Sequence, residues 1–259
     1  MASGIVAVGA ISMFFVELGA GLPLVYVHGN TGSSSWFKRV MDIPGYHAVA
    51  PDMPNFGRSS ALPGEIRIER YAESVAGFME ARGYKNAVLV GHSLGGCVAQ
   101  ALALSRPDLV RALVLVDSGA PYGLVTPADR HPLIEMMRTN RAILEQALKA
   151  VVPTLKDEAF FKELVDDAQK MAVPAWIGNA EALSRFDITA KCASFTGPVL
   201  VLRGSLDPII TEEMAKATAA AYPNARLKLL DGVGHSVIVE NPALFLKLLN
   251  EFIAEIGVK

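Results

Sequence analysis

Cysteine is scarce in this chain: Cys97 and Cys192 are the only thiols among 259 residues. Two are too few for a disulfide framework, and no Cys/His cluster has the spacing of zinc ligands. The pattern reads as a protein of a reducing compartment, taken here as the cytoplasm. An excess of charge of either sign is also missing. Lys plus Arg is 24 against 26 for Asp plus Glu, a net charge of −2 with no run of like charge, so nucleic acid and anionic lipid have no electrostatic footprint to bind. Charged residues make up only 19% of the chain and hydrophobic residues 51%, which excludes disordered, collagen-like and low-complexity readings. A globular chain remains, whose ligand is expected to be small and mostly uncharged. Monomer and homodimer stay equally open.

Long apolar runs are absent too. Residues 1–16 carry no charge, but no Lys or Arg precedes them and no Ala-x-Ala cleavage pattern follows, so a secretory leader is not expected. Gly4, Gly9, Ser12 and Glu17 interrupt the run before it reaches the roughly 20 residues of a membrane span. Two short buried strands are predicted there instead.

What the chain does contain is an alternation of short β-branched runs with longer segments of helical periodicity. Strands are predicted at 5–10, 13–18, 24–28, 47–51, 87–91, 112–117, 199–204 and 226–230, and helices at 68–82, 94–105, 211–222 and 242–256. Unbroken apolar stretches such as Leu24-Val25-Tyr26-Val27 and Leu113-Val114-Leu115-Val116 suit strands covered on both faces. The expected architecture is a doubly wound, mostly parallel eight-stranded sheet. Residues 121–187 offer helices but no parallel strand, and read as a helical cap inserted after strand 6 of a core formed by residues 1–120 and 188–259.

The strongest chemical signal is Val88-Leu89-Val90-Gly91-His92-Ser93-Leu94-Gly95-Gly96, a buried strand running into Gly-x-Ser-x-Gly and then a helix. A side chain on so sharp a strand-to-helix turn needs small neighbours two positions either side. The helix start behind it offers free N–H groups to developing negative charge. Ser93 is therefore the candidate nucleophile. A serine hydroxyl needs a base, itself oriented by an acid. His235 lies in Asp231-Gly232-Val233-Gly234-His235, a loop after the last strand, and is the candidate base. Asp207 follows the strand at 199–204 and is the candidate acid, with Asp117 at the end of the preceding strand a competitor for the role. The chain order Ser, Asp, His favours Asp207.

These motifs, with His28-Gly29 after the third strand and Asp52-Met53-Pro54-Asn55-Phe56-Gly57-Arg58-Ser59 after the fourth, make the chain resemble the α/β-hydrolase family over nearly its whole length, in its serine esterase and lactonase branch. The resemblance implies an oxyanion hole from the backbone N–H groups of Asn30 and Leu94. Where the family often has Gly, this chain has Asn55, a residue that tolerates a left-handed backbone. Asp52 and Arg58 are expected to be structural. Dehalogenase and epoxide hydrolase relatives use aspartate at the position of Ser93, so those activities are not expected, and Gly19-Ala20-Gly21 lacks dinucleotide-binding spacing.

The expectation is hydrolysis of a carboxylic ester of a small to medium apolar acyl group through an acyl-enzyme, with no metal or organic cofactor. Lactonase activity of the acyl-homoserine-lactone type is the alternative, on the likeness of His28-Gly29-Asn30 and Ser33-Ser34-Ser35-Trp36 to such enzymes. Perhydrolase activity and a ligand receptor built on the same fold stay open. A substrate pocket is expected along His28, Trp36, Met136, Met137, Phe160 and Trp176.

Overall fold

The computed structural model describes residues 1–257. Eight strands form one sheet: β1 (Ala2–Val8), β2 (Ile11–Gly19), β3 (Leu22–Val27), β4 (Tyr46–Pro51), β5 (Ala87–His92), β6 (Val110–Val116), β7 (Val199–Gly204) and β8 (Ala225–Leu230). Their order is β1-β2-β4-β3-β5-β6-β7-β8. β1 and β2 run antiparallel to their neighbours, and every later pairing is parallel. The helices are α1 (Ile68–Ala81), α2 (Leu94–Ser105), α3 (His131–Thr139), α4 (Arg141–Val151), α5 (Glu158–Ala168), α6 (Val173–Arg185), α7 (Glu212–Ala221), α8 (Val237–Glu240) and α9 (Pro242–Glu255). The four from α3 to α6 follow β6 and precede β7.

The centre of the sheet is what positions the site. β5 is buried along its whole length, and Leu24 to Val27 of β3 and Ala112 to Val116 of β6 are fully enclosed. Each such Leu or Val contributes about 1.5–3 kcal/mol by leaving water. This anchors the carboxyl ends of three adjacent parallel strands. α2, directly behind the turn after β5, is buried from Leu94 through Ala103. Its buried polar side chain, Gln100, is satisfied by the Ser118 hydroxyl, the Gly119 carbonyl and the Tyr222 hydroxyl.

The N-terminus departs from expectation. β1 is an edge strand with one neighbour and mostly exposed side chains, Ile5 being 69% exposed. The expected strand at 5–10 is displaced because Gly9, at φ 56°, and Ala10 form the hairpin turn. β6 ends one residue sooner than the apolar run implied, leaving Asp117 beyond the strand at φ 45°. Among the described residues no helix is long and apolar enough to cross a membrane.

Candidate active site

Ser93 sits between β5 and α2 with φ 54° and ψ −120°, a left-handed conformation that costs a non-glycine residue on the order of 1–3 kcal/mol. Its neighbours make the turn possible. A Cβ at Gly95 would strike the Val27 and His28 carbonyls, and one at Gly91 would strike Gly96 and the Ala99 side chain. The Ser93 N–H donates to the Val116 carbonyl of the neighbouring strand, at 3.0 Å, so the strained residue is held by the sheet itself.

His235 approaches from the loop after β8, and its ring opens into the same cavity as Ser93. Its Nδ1 lies 2.8 Å from Asp207 Oδ2, both side chains being buried. A carboxylate only accepts, so Nδ1 carries the proton and Nε2 keeps the lone pair that a base needs. The other oxygen of Asp207, Oδ1, accepts from Ile209 N at 2.7 Å and Ile210 N at 3.1 Å. Burial alone would raise the Asp207 carboxyl; the His235 ring and these two N–H groups together outweigh it and hold the carboxyl below its ordinary value. Among the described residues Ser93 Oγ makes no hydrogen bond: the structure joins His235 to Asp207 and brings Ser93 to the same cavity without a Ser93–His235 bond.

The oxyanion donors expected from the sequence stand at two backbone positions. Leu94 N is the first amide of α2, and Asn30 N lies in a tight turn closed by Gly32 N donating to the Gly29 carbonyl, with Thr31 at φ 57°. Gly29 brings this turn close: a Cβ there would press on Ser93 Cβ at 2.9 Å.

A cavity of about 270 Å³ opens at Ser93, lined by Asn30, Thr31, Trp36, His92, Met137, Ala147, Leu148, Val151, Ile209 and His235. No charged side chain is among them. Trp36 and Met137 face it, whereas the other residues expected there do not. His28 is fully buried; Nδ1 donates to the Gly29 carbonyl and Nε2 accepts from Met53 N, so both nitrogens serve the backbone and burial lowers its pKa. Trp176 is buried with its indole on the Met171 carbonyl, and Phe160 packs under the Arg39 guanidinium. Met136 is 50% exposed, on α3, a helix with no buried residue. Helical periodicity locates an apolar side chain on a face but cannot say which layer that face meets.

The profile of the alpha/beta hydrolase family matches residues 24–248. The chain belongs to that family. This hydrolase is 27% identical over 248 residues to the pimeloyl-[acyl-carrier protein] methyl ester esterase of Yersinia pseudotuberculosis, covering 90% of this chain and 93% of that one. It superimposes with a TM-score of 0.87 on an esterase from Exiguobacterium antarcticum, at 20% identity and covering 96% and 98% of the two chains. The score is again 0.87 for an enol-lactonase from Burkholderia xenovorans, at 20% identity with 97% and 100% covered. At such identities the two structures establish the fold alone.

Several residues of the hydrolase site were not legible as such. His92 lies beside Ser93 and donates from Nε2 to the His235 carbonyl at 2.9 Å, while its ring stacks on Trp36 at 5.1 Å. Burial and the nearby His235 push it down to about 3, so it stays neutral. Glu240 brackets His235: Oε2 accepts from Gly234 N and Oε1 from Ser236 N, both at 3.1 Å, and Oε2 also takes Thr154 N and the Thr154 hydroxyl. His235 N donates to the Val151 carbonyl at the end of α4, at 2.7 Å. From α6, Asn179 Nδ2 donates to Asn30 Oδ1 at 2.8 Å, and Asn179 Oδ1 accepts from the Tyr71 hydroxyl. Asp52 is a scaffold residue, accepting from Ser34 N and Arg58 N, and Asn55 takes the left-handed turn at φ 76°. Asn30 and Tyr71 lie more than 100 residues from Asn179, and His235 more than 80 from Val151.

Proposed function

We propose that this hydrolase cleaves carboxylic esters with small to medium apolar acyl groups through an acyl-enzyme on Ser93. The observation that carries the reading is the His235 imidazole, oriented at 2.8 Å by a buried Asp207, opening with Ser93 onto one uncharged cavity. His235 takes the serine proton through Nε2 as Ser93 Oγ attacks the carbonyl carbon, and Asp207 holds the tautomer and supports the imidazolium. The oxyanion accepts from Leu94 N and Asn30 N, each such donor being worth about 2.7–4 kcal/mol in the transition state. His235 returns the proton to the leaving alcohol. Water, activated by the same ring, then releases the acid and restores Ser93.

The absence of charge on the cavity wall supports an uncharged acyl or alcohol group, since a carboxylate there would be desolvated without a partner. α3 to α6 act as a cap: Met137, Ala147, Leu148 and Val151 form the wall opposite Ser93. The methyl ester esterase of Yersinia pseudotuberculosis, similar over 90% of this chain, supports a linear ester as substrate, and the shared fold leaves a cyclic ester as the alternative. Buried, unpaired Cys97 and Cys192 support a cytoplasmic location.

The test is steady-state hydrolysis of nitrophenyl esters of increasing acyl length beside a set of lactones, together with fluorophosphonate labelling. Multiple turnovers are expected, falling at least about 10⁴-fold in kcat for Ser93→Ala, with labelling lost in the same variant. A receptor would give at most one slow turnover, and a dead scaffold no labelling.

A further inference from the structure

Behind Asp207 stands a second carboxyl that the proposed mechanism does not use. β6 and β7 are parallel neighbours, and Asp117 N donates to the Leu202 carbonyl at 2.9 Å, so the residue just past β6 is carried alongside the turn after β7. Asp117 is 1% exposed, and Asp207 and His235 are also buried. An oxygen of each carboxyl and a ring nitrogen of His235 lie within 4.8 Å of one another.

The hydrogen-bond inventory shows what is left over. A carboxylate offers about four acceptor sites. On Asp207, three are taken by Ile209 N, Ile210 N and His235 Nδ1. On Asp117, Oδ1 accepts from Gly204 N at 2.9 Å, while Oδ2 is buried with no partner among the described residues. Two bare carboxylates this close in a dry site repel, and an unpartnered charged oxygen there costs several kcal/mol. One proton on Asp117 Oδ2 removes the repulsion and supplies the donor for the open site of Asp207. A cation held by the same three groups would have to displace the N–H and ring contacts already made.

We propose that Asp117 is a positioning residue for the catalytic acid, a neutral carboxylic acid whose Oδ2–H donates to the Asp207 carboxylate and holds it in line with His235. The titratable groups around it are Asp207, His235 and Glu240, with Arg203 bound to the Asp207 and Ile210 carbonyls in the same loop. Burial first, then the charge of Asp207, drives the Asp117 carboxyl well above the usual range. Left-handed backbone at φ 45° is tolerated best by Asn and Asp among residues with side chains, and Asn can accept from Gly204 N and donate to Asp207 at once.

The inference rests on the serine-hydrolase reading, and a readout that needs no turnover separates the two. In infrared difference spectra of the parent protein against Asp117→Asn near neutral pH, a protonated-carboxyl C=O band is expected in the parent and lost in the variant. In kinetics, Asp117→Ala is expected to lower kcat at least tenfold with KM little changed. Asp117→Asn is expected to recover most of that loss and to keep the acid limb of the kcat/KM profile at the parent's pH. If Asp117 were ionised, Asp117→Asn would remove a negative charge, weaken the hold on the imidazolium proton and move that limb to lower pH. Absence of the carboxyl band, a displaced limb, or an Asn variant as slow as the Ala variant would each overturn the proposal. A band present in a protein that hydrolyses no ester would keep the shared proton and remove the serine-hydrolase reading.

Discussion

At the scale of single residues, the site holds three histidines close together, and the proposed mechanism uses one of them, His235, as a base. His92 Nε2 must carry its proton because its partner is the His235 carbonyl, and burial keeps the ring uncharged. His28 is neutral for a similar reason, with one nitrogen donating and the other accepting. The acid limb of kcat/KM is therefore expected to fit a single proton; a limb steeper than one proton would show that His28 or His92 titrates with the base. The two aspartates oppose each other in their effect on stability. Asp207, with its carboxyl lowered in the folded state, contributes stability above its unfolded value near pH 4, and that stability is lost as pH falls. Asp117, raised in the folded state, stabilises at low pH, and its contribution fades as pH rises past that same unfolded value. Thermal unfolding of Asp117→Asn should thus gain on the parent progressively between about pH 4 and pH 7. A difference independent of pH would contradict this.

At the scale of elements, the turn from β5 to α2 and the loop into α8 hold Ser93 and His235 by different means. The first is steric. Gly95→Ala would drive a methyl group into the Val27 and His28 carbonyls, and denaturant unfolding is expected to show a loss of more than about 3 kcal/mol or no folded protein. The second is polar. Glu240 on α8 holds the amides on both sides of His235, and Glu240→Gln keeps the shape while losing acceptors for buried N–H groups. A cost of about 1–2 kcal/mol is expected, with kcat reduced more than KM is changed. Equal stability and unchanged kcat would show that the loop holds itself. The Gly-x-Ser-x-Gly turn was readable because its chemistry is local. The role of Glu240 was not readable, since nothing in its spacing says which amides its carboxylate meets.

At the scale of the whole molecule, the helices between β6 and β7 touch the machinery at two places. Val151 at the end of α4 receives the His235 amide, and Asn179 on α6 donates to Asn30 in the oxyanion turn. The same helices supply Met137, Ala147 and Leu148 to the cavity wall, and a larger side chain there reduces its volume of about 270 Å³. Leu148→Phe is expected to shift preference among nitrophenyl esters toward shorter acyl groups, read as the ratio of kcat/KM for a long and a short ester. An unchanged ratio would mean that acyl groups leave the cavity by another side. His28, Phe160 and Trp176 were expected along this wall and lie in the core, and Met136 lies on the surface, because apolar character alone does not distinguish a pocket from packing.

The order of motifs along the chain was enough to name the fold and the strand-turn-helix around Ser93, and to propose the acid and base that follow it, because each depends on a strand, a turn residue and a helix start that are contiguous. What only the folded chain decided is which distant groups meet: the Asp117 and Asp207 carboxyls beside one ring, Glu240 on Thr154, Asn179 on Asn30, and the residues that enclose the cavity. Those contacts join segments tens to more than a hundred residues apart. Their geometry comes from parallel strand register and helix packing, which no local pattern encodes.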